Sequence, residues 1–493
     1  MKSGHMGLTP LIKYSIALGA GILGTLAFAP FNVWWLGLVS LAVWMWLSIK
    51  HPSFSVGLFY GLGLFGSGVS WVSVSMTEHG GVSFLLAFIM TSVFAAGLAI
   101  FPGLASWGYA SWHQRWSTTL GKACLLTACW VTMEAFRSWF LTGFPWLLFG
   151  YSALATPFEG YLSWVGVFGV SAVIALTVGG FVASLLDRQL TPLIIPVILM
   201  TMGPILNAQF EPSEEQTQAT RVALWQPMIA QSEKWKPEFR ERILEQHVVN
   251  GLPTDVDIII WPETALPMTE SRVNSVLPDL DLMLLSNTQT LITGVLGQSE
   301  GRYTNRLITL GSGQGAYDKT RLVPFGEYIP LESMFRGLIT FFNLPMSAIV
   351  PGRQQSLLTH GQLKFGALIC YEIAYAGQAR TMTEGANVIL TVSNDTWFGD
   401  SIGPDQHLQI AQIRARELGK PVIRATNDGL TAFINARGQV ESILPRFVSA
   451  VLSHTVIPAT TVTPYSKAGE APLIIFLIVM LTLTRRNEAF NSK

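Results

Sequence analysis

The sequence predicts two kinds of structure in one chain: a polytopic α-helical membrane domain of about eight spans, and an extracytoplasmic α/β domain placed before the last of them. Three observations predict this. Of the 493 residues, 50% are hydrophobic and only 13% are charged, more apolar than an ordinary soluble domain. From about residue 11 to 207, apolar runs recur at close to the roughly 20 residues that a helix needs to cross a hydrocarbon core about 30 Å thick. Composition then shifts abruptly at Glu211-Pro212-Ser213-Glu214-Glu215, and beyond it short β-branched runs alternate with helical stretches.

The first six residues read as an expression scar ahead of a start at Met6. Residues 7–207 hold spans near 11–29, 34–49, 53–75, 84–110, 120–140, 162–186 and 190–207, and residues 472–493 hold a short eighth span and a tail. Cytoplasmic loops carry the excess of Lys and Arg. Lys13, Lys50, Arg115, Lys122, Arg188, Arg485 and Arg486 all fall on one side if there are eight spans and both termini are cytoplasmic. The opposite loops, 76–81 and 141–161, contain neither residue type, which places 208–471 outside the cytoplasm. Within the spans, Glu134 and Arg137 lie three apart on one helix face, where they can pair. The loop from Thr142 to Tyr151 is rich in aromatics and glycine, as interfacial anchors are.

In the second domain, 222–225, 257–261, 290–295 and 387–392 read as buried strands, and 234–249 and 405–419 as helices, a pattern of layered α/β type. Lys plus Arg and Asp plus Glu both number 31, so no basic excess points to nucleic acid. Cys124, Cys129 and Cys370 form no disulfide framework. No metal-ligand cluster or phosphate-binding glycine loop is visible, so no cofactor is implied.

Three strand ends finish on reactive side chains. The 257–261 strand runs through Pro262, which ends the ladder, into Glu263. A second segment, from Tyr317 to Tyr328, carries Lys319. The third, Phe365-Gly366-Ala367-Leu368-Ile369-Cys370, ends on a thiol. Taken singly, these are most simply a loop carboxylate, a surface lysine and a core cysteine. Together they make a nucleophile whose proton Glu263 can take and whose oxyanion Lys319 can hold, because a free thiol titrates near pH 8.5 and needs such help at neutral pH.

The motifs Trp-Pro-Glu at 261–263, Asp-Lys-Thr-Arg-Leu-Val-Pro-Phe-Gly-Glu at 318–327, Cys-Tyr-Glu at 370–372 and Ser-Asn-Asp-Thr-Trp-Phe-Gly at 393–399 resemble the nitrilase, or carbon-nitrogen hydrolase, superfamily. Its membrane branch, the apolipoprotein N-acyltransferase family, is the closer match. Features of that branch are Gly68-Val69-Ser70-Trp71-Val72, Gly143-Phe144-Pro145-Trp146, Trp225-Gln226-Pro227 and Thr463-Pro464-Tyr465. The chain departs from it in the acidic Asp428 of Asn427-Asp428-Gly429 and in the short final span.

The resemblance implies a nitrilase-like αββα sandwich, with Glu263 as general base, Lys319 as oxyanion stabiliser, Cys370 as nucleophile, and Glu327, Tyr371, Glu372 and Trp225 in support. It implies a phospholipid acyl donor, a diacylglyceryl-modified lipoprotein acceptor, and a place in the bacterial inner membrane with the catalytic domain facing the periplasm. Trp71, Phe144, Trp146, Phe341 and Phe342 are the lipid-contact candidates. Phe335–Leu344 is too apolar for an ordinary surface loop and reads as a mobile lid or a buried helix. Two other readings stand beside this one: a membrane-tethered amidase with water as acceptor, and a transporter with an external domain. The charge-poor spans argue against transport.

Overall fold

The computed structural model describes residues 9–215, 219–276, 278–299, 301–324, 326–328, 349–353 and 355–485. The chain divides into two units, one of 1–73, 83–210 and 468–493 and the other of 74–82 and 211–467.

The first unit is helical. Helices run over Pro10–Thr25, Trp34–Lys50, Phe54–Gly68, Phe84–Trp112, Thr119–Arg137, Leu162–Asp187, Ile194–Ala208 and Ala471–Thr484. By length and apolarity three segments among the described residues suffice to cross a membrane: Phe84–Arg115, Glu159–Asp187 and Thr191–Ala208. Pro10–Thr25, with 16 residues, reaches only about 24 Å at 1.5 Å per residue. The span expected at 53–75 is broken: Phe54–Gly68 and Trp71–His79 meet at a 50° bend, together a broken span or a re-entrant loop. Glycines let these helices touch backbone to backbone. A Cβ on Gly57 would lie 2.0 Å from the Pro102 carbonyl oxygen, and one on Gly63 would lie 2.0 Å from that of Leu18.

Glu134 and Arg137 each hold the loop that follows them. Glu134 accepts from Trp130 Nε1 at 2.9 Å and from the Phe149 backbone N–H at 3.0 Å. Arg137 donates to the carbonyls of Phe144, at 2.5 Å, and Trp146, at 2.7 Å. These buried charges are thereby spent on loop backbone that would otherwise lose water without compensation.

Among the described residues, the second unit contains two six-stranded sheets. Its strands are β1 (Thr220–Gln226), β2 (Ile258–Ile260), β3 (Thr290–Ser299), β4 (Arg302–Gly311), β5 (Ala316–Asp318), β6 (Leu358–His360), β7 (Leu363–Ile369), β8 (Val388–Ser393), β9 (Val422–Thr426), β10 (Ala432–Ile434), β11 (Val440–Ile443) and β12 (Ala450–Val456). The sheet orders are β12-β1-β2-β3-β4-β5 and β11-β10-β9-β8-β7-β6. Each has a parallel centre, β1-β2-β3 in one and β7-β8-β9 in the other. Residues in β2, β8 and β9 are buried throughout, so neither face alternates toward water; β2 is all isoleucine, while β9 carries the buried Arg424. Parallel strands bring their carboxyl ends to one edge, where open α/β sheets place their sites. Here Glu263 follows β2, Lys319 follows β5, Cys370 follows β7, and Asn394 with Asp395 follows β8.

Candidate active site

Lys319 is the centre of the cluster. Its side chain is buried, and Nζ donates to Glu263 Oε1 at 3.1 Å and to Glu327 Oε1 at 2.8 Å. Its position is fixed from the backbone, since its N–H donates to the Asn305 carbonyl at 2.8 Å. Asn305, from β4, also donates its side-chain N–H to Glu263 Oε1 at 2.7 Å. The second oxygen, Glu263 Oε2, accepts from the Asn394 backbone N–H at 2.8 Å, beyond the end of β8. The carboxylate is thus bonded from both sheets. Glu327 is anchored separately, Oε2 accepting from the Val323 N–H at 2.7 Å.

The charges follow from these contacts. Burial alone would raise Glu263, but the ammonium groups of Lys319 and Lys234 and the bonds from Lys319 and Asn394 outweigh it, and its carboxyl titrates below the usual range. Burial would neutralise Lys319, yet Glu263 and Glu327 hold it protonated well above the ordinary lysine range. Glu327 lies the other way: burial raises it, and the neighbouring Glu263 charge adds to that against the pull of Lys319.

Cys370 closes the arrangement. The residue is partly exposed and ends β7 with φ +56°, a conformation sparsely populated by residues other than glycine. Burial of the thiol, then the Glu263 carboxylate, pushes its pKa up, while Lys319 and a hydrogen bond with Ser393 pull against them. The resting thiol is therefore protonated.

Behind it lies a buried polar network. His407, on the Gly403–Leu418 helix, places Nε2 3.2 Å from the Cys370 carbonyl oxygen. Its Nδ1 lies 3.2 Å from Asp395 Oδ1 and 3.0 Å from Arg424 Nη2. Arg424 also donates to Asp395 Oδ2 at 2.5 Å. Burial and the neighbouring Arg424 hold His407 below the ordinary imidazole range despite Asp395. Since arginine only donates, Nδ1 is the acceptor and Nε2–H is the group directed at the Cys370 carbonyl. The strained turn that carries the Cys370 thiol is thus held by a hydrogen bond to its own carbonyl.

A family model described as the apolipoprotein N-acyltransferase N-terminal domain matches residues 20–180, and one described as carbon-nitrogen hydrolase matches 218–463. The apolipoprotein N-acyltransferase of Photobacterium profundum is 37% identical over 490 residues, covering 95% of this chain and 94% of that protein. That of Pseudomonas aeruginosa is 40% identical over 479 residues, covering 93% of this chain and 92% of that protein. The chain belongs to the apolipoprotein N-acyltransferase family. Among solved structures, Saccharomyces cerevisiae Nit3, a member of branch 10 of the nitrilase superfamily, matches with TM-score 0.35 at 15% identity, over 52% of this chain and 95% of that one.

Within this apolipoprotein N-acyltransferase family member, the structure brings Glu263, Lys319 and Glu327 into hydrogen-bond contact and sets Cys370 in their field. Glu372 sits to the side of the cluster: Oε1 accepts from the Thr320 and Arg321 N–H groups at 2.8 and 3.0 Å, and Oε2 from Tyr317 Oη and the Ile369 N–H, both at 2.8 Å. Tyr371 is buried and meets Tyr375 edge-on at 5.2 Å. Trp225 lies in the apolar core against which β2 and β3 pack. In the helical unit, Trp71, Phe144 and Trp146 form one aromatic cluster, with centroids 5.5 Å apart for Trp71–Trp146 and 6.2 Å for Phe144–Trp146. Trp146 is buried in it, so its ring packs against protein. Phe341, Phe342 and the expected lid lie outside the described residues.

Sequence reasoning missed Asn305, Lys234 and His407. The Ser-Asn-Asp motif at 393–395 was noted without a role for Asn394 or Asp395. Lys234 is buried and donates to the Glu263 carbonyl oxygen at 3.0 Å. No local signal marks it, because Gln231-Ser232-Glu233-Lys234 has the composition of a surface turn.

Proposed function

We propose that the protein transfers an acyl chain from a membrane phospholipid, through a thioester on Cys370, to the free α-amine of the diacylglyceryl-cysteine at a lipoprotein N-terminus. The observation that carries this reading is the buried Lys319 ammonium held by Glu263 and Glu327 beside a protonated thiol. In the first half, Cys370 Sγ bonds to the ester carbonyl carbon while its proton passes to Glu263. Lys319 faces the developing oxyanion, with the Tyr371 backbone N–H as a second donor. The ester C–O bond then breaks, Glu263 returns the proton to the leaving oxygen, and lysophospholipid departs. In the second half the amine nitrogen attacks the thioester, Glu263 takes the amine proton, and the C–S bond breaks as that proton reaches sulfur. The acceptor α-amine has a pKa near 7.7–8.0, so an appreciable neutral fraction exists at neutral pH.

The distribution of Lys and Arg supports a cytoplasmic-membrane protein with both termini inside and a catalytic segment, 208–471, on the outer side, between the helical segment 7–207 and the final span and tail 472–493. There, lipid and aromatic walls limit hydrolysis of the thioester. The test is intact mass spectrometry after incubation with phospholipid. An acyl adduct is expected on the wild type and none on Cys370→Ala, whose melting temperature should stay within a few degrees because one small side chain replaces another. No adduct on wild type sinks the thioester scheme. An adduct that hydrolyses before any amine is added favours the amidase reading.

A further inference from the structure

The helical unit carries an open groove of about 630 Å³ between the Phe84–Trp112, Thr119–Arg137 and Ala471–Thr484 helices. That is within the roughly 300–1,000 Å³ of small-molecule sites. The walls are predominantly apolar, with Phe101 and Phe136, 5.9 Å apart, at one end. From Phe101 to Trp112 the lining helix advances roughly 16 Å at 1.5 Å per residue.

The other end is cationic. Trp116 Nε1 donates to Thr484 Oγ1 at 3.0 Å, which brings together their chain neighbours Arg115 and Arg485 at one mouth. Both arginines are exposed, and the Arg115 guanidinium lies 5.1 Å from the Trp112 ring centroid. No Asp or Glu is among the described residues that line the groove.

We propose that this groove holds one anionic phospholipid of the surrounding bilayer as a resident lipid, with its phosphate on Arg115 and Arg485 and an acyl chain along the wall toward Phe101 and Phe136. The charges and the walls have to be matched together. A soluble anion leaves the apolar length unused. A partner helix would bury two guanidinium groups without counter-charge, which is strongly unfavourable. A zwitterionic headgroup sets its own ammonium against the second arginine, whereas a net negative one satisfies both. Basic residues in these loops also fit the charge bias of cytoplasmic loops, but that bias requires neither a groove between them nor a preference among lipids. The bound lipid would tie the 14-residue final helix, too short to span comfortably, to the two helices beside it.

The experiment is native mass spectrometry of the detergent-solubilised full chain carrying Cys370→Ala, so that acylation of the thiol adds no mass. Phosphatidylglycerol and phosphatidylethanolamine are supplied in equal amounts. One phosphatidylglycerol should be retained in preference, with retention falling roughly tenfold or more in Arg115→Gln/Arg485→Gln, since both charged hydrogen bonds to the phosphate are lost. Arg115→Lys/Arg485→Lys should keep the preference. Equal retention of the two lipids by the protein with both arginines intact means non-selective annular lipid only and overturns the proposal. So does an undiminished preference in the glutamine variant. If that variant does not fold, the decision falls to thermal melting of the protein with both arginines: phosphatidylglycerol must raise the midpoint more than phosphatidylethanolamine does, and equal shifts overturn the site.

Discussion

The Lys234 ammonium binds the main chain of Glu263 on one side while the Glu263 side chain binds Lys319 on the other. The residue after Glu263, Thr264, has φ +46°, so the carboxylate is presented from a strained turn whose buried carbonyl needs a donor. Lys234 supplies that donor and a positive charge. Burial lowers its own pKa to about 8 against the pull of Glu263 and Asp428. Lys234→Met should therefore act through Glu263. In its proposed role of general base Glu263 works ionised, and its pKa is held down by Lys319 and Lys234 together. Losing one cation raises that pKa, so the acid limb of kcat/KM against pH should move upward by about one unit, within the 1–3 units typical of a close opposite charge. Lys234→Arg should restore it in part. A lower rate with an unmoved limb would make Lys234 a packing residue. Glu263 and Cys370 stand out in the sequence because each follows an apolar run, and Lys319 because of the motif around it at 318–327; Lys234 does not, because burial of a lysine is decided by what packs over it from elsewhere in the chain.

At the level of elements, two devices hold the β7 end. The Gly403–Leu418 helix brings His407 beneath the Cys370 carbonyl, and Glu372 ties the Ile369 N–H to Thr320 and Arg321, which follow Lys319. Glu372 thus joins the segment carrying Cys370 to the segment carrying Lys319. Every partner named for its carboxylate is a donor, including Gln378 Nε2 at 2.8 Å. Glu372→Gln would turn an amide N–H₂ toward those donors, and a loss of about 2–4 kcal/mol in stability is expected from the buried groups left unmatched. Thermal melting checks this; a variant that melts normally but lacks acyl transfer would place Glu372 in the chemistry instead. Among the strands, β1, β2, β3, β7 and β8 were readable as apolar runs, and 403–418 was readable as a helix to within two residues at its start. The break in 53–75 was not: Gly68-Val69-Ser70 does not distinguish a straight apolar helix from one bent by what it packs against.

At the scale of the whole molecule, composition and the loop charges pointed to a helical unit and an α/β unit. The strand order of the second unit was beyond reach, since two sheets with parallel centres and antiparallel edges are built from pairings far apart in sequence. Asp428 makes one separable contribution to the pH dependence of this unit's stability. Asp428 is 8% exposed, and its Oδ1 is buried without a hydrogen-bond partner among the described residues. Burial pushes it up, a bond from Thr396 opposes this, the nearby Asp395 charge adds to it, and the result is about 6. An aspartate in an unfolded chain titrates near 3.9. Folding therefore binds protons between these values: below about pH 4 the group is protonated in both states and costs nothing, while above pH 6 the fold holds an ionised carboxylate at a penalty on the order of 3 kcal/mol. Asp428→Asn removes the charge in both states. Its melting temperature should exceed that of wild type at pH 8, the gap should narrow on going from pH 6 toward pH 4, and it should close below. A gap that stays constant across that range would mean that the ionisation of Asp428 does not limit the stability of this unit, and that the difference comes from packing alone.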